Sequence, residues 1–120
     1  MAYHPLNLAL RFVLELAMLA ALARWGYRQS GGAWIAAAAL VFVAASVWGI
    51  FNVPGDPSRS GSAPVVVSGS VRLALELALF ALASWALIGS GAEQAGVALI
   101  VITLLHYAIS WERILWLLQR

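Results

Sequence analysis

Charges set inside a long apolar run constrain this chain more than any other feature. Leu10-Arg11-Phe12-Val13-Leu14-Glu15-Leu16 carries an arginine and, four residues on, a glutamate, with only apolar neighbours. The pattern returns 61 positions later, from Arg11 to Arg72 and from Glu15 to Glu76, in Val71-Arg72-Leu73-Ala74-Leu75-Glu76-Leu77; Asn7 then aligns with Ser68. Four-residue spacing stacks side chains on one face of an α-helix, so each arginine lies over its glutamate. An ionisable group in an apolar helix is expensive and persists where it is paired, hydrated or needed.

The surroundings decide which solvent applies. Of 120 residues, 63% are hydrophobic and 10% charged, and the mean hydropathy is +0.91, far from the averages of water-soluble domains. The apolar runs are long and do not alternate, so the expected fold is all-α, an integral membrane four-helix bundle. The net charge of +2 comes from seven scattered arginines without a lysine. That excludes a polybasic, nucleic-acid-binding surface. With no cysteine, disulfides, thiolate catalysis and cysteine-held metal clusters are excluded. Met1-Ala2-Tyr3-His4-Pro5 lacks the basic region of a signal peptide, and the first segment is expected to stay in the membrane.

Pro5 suits a first helical turn, and the spacing of turns predicts spans over about 5–24, 33–51, 68–88 and 95–118 in a single transmembrane domain, 1–120. Gln29-Ser30-Gly31-Gly32 and Gly89-Ser90-Gly91 read as tight turns, and 52–67, with three of the four prolines, as a linker between halves. Trp25, Tyr27, Trp34 and Trp85 form one aromatic belt; Tyr3, Trp48, Trp111 and Trp116 form the other. The offset thus relates two helical hairpins of the same orientation, a parallel repeat. The arginines near the termini and the linker favour both termini in the cytoplasm, with the chain multi-pass in the cell (inner) membrane.

At 1.5 Å per residue, Arg11 and Glu15 lie roughly 9 Å and 15 Å below the terminal-side surface, and Arg72 and Glu76 at matching depth. The fourth span returns to that surface with Thr103, His106, Ser110 and Arg113 on one stripe. Ser46 and Trp48 come from the second span. Candidate acid/base groups are Glu15, Glu76 and His106; candidate binding groups are Arg11, Arg72, Ser46, Trp48 and Ser110. Cross-pairing of Arg11 with Glu76 and of Arg72 with Glu15 would instead dock the two hairpins, a structural role for the same residues. No metal is expected, because the arginines repel a cation from the carboxylate and imidazole donors. No cofactor is expected either, since no two histidines face each other at matching depth to hold haem.

Arg11-Phe12-x-x-Glu15-Leu16, Leu19-Ala20-Ala21-Leu22-x-x-Trp25-Gly26, Trp48-Gly49-x-Phe51-x-x-Pro54 and Arg72-Leu73-x-x-Glu76-Leu77-x-Leu79-Phe80 together resemble the YrdB-like family of small four-span bacterial membrane proteins. The match covers nearly the whole chain and is loosest in the fourth span. The resemblance implies the four-span topology and singles out Arg11, Glu15, Trp48, Gly49, Arg72 and Glu76. It implies no activity, the family being one of unknown function.

Three functions remain open on these residues. The first is binding or transport of a small amphipathic or charged molecule, with arginines holding an anionic group and a glutamate exchanging protons. The second is an intramembrane acid/base enzyme acting on a lipid-soluble substrate such as an epoxide or isoprenoid, with two groups of divergent pKa. The third is a structural or accessory subunit. The lipid bilayer is the expected partner in all three, and a homodimer suits so thin a bundle.

Overall fold

A computed structural model describes all residues, 1–120. It contains five helices: α1 (Pro5–Gln29), α2 (Trp34–Ile50), α3 (Gly69–Gly89), α4 (Glu93–Ile109) and α5 (Trp111–Leu118). A parallel strand pair joins β1 (Phe51–Asn52) to β2 (Val65–Val66), with Phe51 opposite Val65. The fold is predominantly helical, as the non-alternating apolar runs predict.

The two long helices start and stop in the same way. His4 caps α1 by accepting the Leu6 N–H, and Pro5 follows it. Ser68 caps α3 by accepting the Val71 N–H. At the other ends, Gly31 (φ 74°) and Gly91 (φ 91°) sit in the left-handed region. There the Gly32 N–H reaches the Tyr27 carbonyl, and the Ala92 N–H that of Leu87, each at 2.8 Å. These bonds satisfy helix-end carbonyls and reverse the chain into α2 and α4. Each hairpin is close-packed at a glycine: a Cβ at Gly26 would meet the Ala36 carbonyl at 3.2 Å, and one at Gly96 that of Ser84 at 2.9 Å.

Along the chain α1 packs on α2 and α3, and α3 on α4 and α5. The apolar core lies in the middle of this array, around Leu14, Met18, Ala21, Phe80, Ala83 and Tyr107. Beside this core lie buried charges, and large apolar side chains face outward. Arg72 and Glu76 are completely buried, while Trp34, Ile35, Phe42 and Leu104 are largely exposed.

Two expectations need correction. The single helix expected over 95–118 is broken at Ser110 and bent by 73°. Ser110 N–H still bonds to His106, but the Ser110 carbonyl accepts both Arg113 and Ile114 N–H groups, so α5 restarts in a new direction. The segment 52–67 is not a mere connector. The strand pair closes its base, a Gly55 N–H bond to the Gly61 carbonyl closes its tip, and Asn52, Val53 and Asp56 are buried. By length and apolarity α1 and α3 are long enough to cross a membrane, and α4 with α5 qualifies if counted as one span; α2, with 17 residues, is shorter.

Candidate functional site

The cap at Ser68 and the apolar periodicity of α3 place Glu76 fully buried among the helices, where five N–H and O–H groups converge on it. Arg11 Nη2 from α1 and Arg72 Nε from its own helix donate to Oε2 at 2.8 and 2.7 Å. Arg113 of α5 donates Nη1 to Oε1 and Nη2 to Oε2, both at 2.8 Å. The Tyr107 hydroxyl of α4 completes the set at 2.6 Å on Oε1. Charge-assisted bonds of this length are strong, and together they tie α1, α3, α4 and α5 to one carboxylate.

Arg72 donates its Nη1 to the carbonyls of Trp48 and Phe51, at 2.6 and 2.8 Å, which fixes the end of α2. Arg113 reaches onward to Asp56, with Nη2 at 2.6 Å from Oδ2 and Nε at 3.3 Å from Oδ1. Asp56 also accepts the Ser58 N–H and hydroxyl. Burial pushes the Asp56 carboxyl up, but the Arg113 and Ser58 bonds outweigh it and hold the group below its ordinary value of 3.8.

Glu15 has a different fate. Its nearest cations are Arg11 Nε at 3.6 Å and Arg59 Nη1 at 3.9 Å, and its side chain is 22% exposed. It borders a cleft of about 280 Å³ with Arg11, Ser58, Arg59 and Ser60, the loop residues being held over α1 by the closed 55–61 turn. Trp48 lies beneath, with the guanidiniums of Arg11, Arg59 and Arg72 at 5.2, 5.9 and 4.7 Å from its ring centre, in cation–π range. Arg11 Nε and Nη1, Arg72 Nη2 and Trp48 Nε1 are buried without a hydrogen-bond partner. Burial and the neighbouring Arg72 lower the Arg59 pKa, more than Glu15 raises it.

The third polar group is a hub at the helix break. Asn7 donates to the Ala2 carbonyl and to Ser110 Oγ, at 3.0 and 2.8 Å, and its Oδ1 lies 3.0 Å from His106 Nδ1. Because Asn7 Nδ2 is engaged as donor, Nδ1 of His106 carries the hydrogen. The N-terminal amine pairs with Glu112 beside this hub.

Of the residues predicted from sequence, Arg11, Glu76 and Arg72 meet in one cluster, with Trp48 against it. The cross-pairing of Arg11 with Glu76 is present, whereas Arg72 turns to Glu76 of its own helix and leaves Glu15 aside. His106 and Ser110 belong to the Asn7 hub, and Ser46 is only partly buried and joins none of these bonds. Glu15, Glu76 and His106 therefore do not surround one space. Arg11 stands between the carboxylates, bonded to Glu76 and 3.6 Å from Glu15. Sequence reasoning missed Asp56, Arg59 and Tyr107. The signal available was the excess of arginine over partners near Glu76, which calls for further carboxylates.

The model of a protein family of unknown function, DUF2568, matches residues 9–104. The uncharacterized protein YrdB of Bacillus subtilis (strain 168) is 40% identical over 116 residues, covering 95% of this chain and 94% of the relative. No solved structure matches. The matched region takes in both Arg-Glu pairs, and the chain belongs to this YrdB-like family of proteins of unknown function.

Proposed function

We propose that the chain is a multi-pass membrane protein with four crossings, in which α5 turns along the terminal-side surface, and that the cleft beside Glu15 binds a small amphipathic or charged molecule. The exposed apolar side chains exceed what a water-soluble monomer tolerates. The long dimension of 43 Å matches a bilayer with its headgroups, about 40–45 Å. At about 1.5 Å per residue α2 spans roughly 25 Å, short for a typical hydrocarbon core but within the range of crossing helices. We place it in the cell membrane with both termini in the cytoplasm, where Arg59, Arg113 and Arg120 lie.

One observation carries the binding reading: of the two repeated glutamates, Glu76 is consumed by the fold, whereas Glu15 keeps only loose contacts and faces a cleft. Glu15 is then the group that exchanges a proton or counters a charge on the ligand. The test is thermal unfolding of the purified protein in lipid nanodiscs against a panel of cationic and anionic amphiphiles. Saturable stabilisation by one class, abolished or strengthened by Glu15→Gln, supports the site. Indifference to every amphiphile in both proteins rejects it.

The saturated Glu76 favours a second reading, a structural or accessory subunit whose buried ions specify helix docking. That reading expects Glu15→Gln to be silent in every assay. An acid/base enzyme has less support, since neither Glu76 nor His106 borders the cleft.

A further inference from the structure

Charge balance around Trp48 is the starting point. Arg11, Arg59, Arg72 and Arg113 form one connected group with Glu15, Asp56 and Glu76. With all seven ionised, one positive charge lacks a counter-charge. His106 lies outside these bonds, in the Asn7 hub. Unpartnered guanidinium nitrogens remain on Arg72, inside the cluster, and on Arg11, beside the cleft. Arg113 spends its fork on Asp56 and Glu76, whereas Arg11, 97% buried, keeps Nη1 unpartnered and lines the cleft. Arg59 closes the other side with only a 3.9 Å approach to Glu15.

Shape adds a second constraint. The polar wall of the cleft carries the guanidiniums of Arg11 and Arg59, the carboxylate of Glu15 between them, and Ser58 and Ser60; its apolar wall is Leu8 and the exposed ring of Phe12. An anion on the polar wall therefore has an apolar shelf beside it. Forked guanidiniums match the oxygens of a phosphate in a way a point charge does not.

Resting on the binding reading above, we infer that the cleft between α1 and the 55–61 loop takes the phosphate-ester group of an anionic molecule, held by Arg11 and Arg59, with any attached chain lying over Phe12. Glu15 competes for the same arginines, so its neutralisation tightens binding.

The source of the phosphate, membrane lipid or soluble ester, is separated by experiment. Purified full-length protein in zwitterionic detergent is titrated with dioleoyl phosphatidic acid, dioleoyl phosphatidylcholine, glycerol 3-phosphate and the cation tetraphenylphosphonium, with unfolding temperature and native mass spectrometry as readouts. Retention of phosphatidic acid over phosphatidylcholine, weakened at least tenfold in Arg59→Gln, partly restored in Arg59→Lys and strengthened in Glu15→Gln, is the expected result. Saturable binding of glycerol 3-phosphate with the same variant pattern assigns the soluble source. Arg59 lies outside the Glu76 bonds, and circular dichroism of each variant establishes that it is folded; should Arg59→Gln not fold, the sign of the Glu15→Gln effect decides alone. Equal retention of both lipids with no response to glycerol 3-phosphate, or weaker anion binding in Glu15→Gln, overturns the inference. Binding of tetraphenylphosphonium alone, lost in Glu15→Gln, also overturns it but leaves the binding reading standing; no binding of any probe removes both.

Discussion

At the scale of single residues, the two glutamates of the repeat make opposite predictions. Glu76→Gln leaves three arginines converging on a neutral amide, and removing one partner of a buried ion cluster costs about 3–5 kcal/mol. Glu15, partly exposed and more than 3.5 Å from either cation, is worth at most about 1 kcal/mol in the same unfolding assay. Equal losses in the two variants would contradict the asymmetry. Asp56 makes the fold acid-sensitive. Its carboxyl titrates lower in the folded chain than the ordinary 3.8. Its stabilisation is thus complete above that value and is lost as the pH falls below it, through the folded-state pKa. Asp56→Asn should flatten the stability profile in that acid range, measured by unfolding temperature against pH. The arginines and glutamates were legible because charge in an apolar run stands out. Asp56 and Arg59 were not, because in a polar, proline-rich stretch a charge is unremarkable, and only the fold brings Arg59 over Trp48 and Asp56 onto Arg113.

Among the elements, the helix hairpins were readable from glycine and serine at their turns, and α1 simply continues further, to Gln29, than the aromatic belt suggested. The break in the last helix was not. No proline or glycine marks Ile109-Ser110-Trp111; the bend is set by tertiary partners, Asn7 on Ser110 and Asp56 and Glu76 on Arg113. The seat for α5 is Gly69 at the start of α3, where a Cβ would overlap the Leu117 carbonyl oxygen. Gly69→Ala must therefore displace backbone, not a flexible side chain. The expected cost is about 1–3 kcal/mol or more, together with faster proteolysis within α5. A variant as stable as the parent, with α5 equally protected, would show that the two helices do not need this contact.

For the whole molecule, the proposed four crossings put the 55–61 loop and the C-terminus on one side and both short turns on the other. The absence of cysteine makes single-cysteine labelling clean. In intact cells an impermeant maleimide should react with Gln29→Cys and Gln94→Cys; Ser62→Cys and Gln119→Cys should react only after the membrane is opened. The reverse pattern inverts the orientation, and a split within either pair removes the four-span arrangement. The carboxylate of Glu76 also has a meaning for biosynthesis. Three of the groups that hold it lie at positions 11, 72 and 107, but the one giving two bonds, Arg113, is translated after all of them. Until then the nascent chain has no link from Glu76 through Arg113 to Asp56. A ribosome that stops short of that codon releases a bundle with Asp56 deprived of its arginine, a defect that quality-control proteases would meet as an unfastened chain.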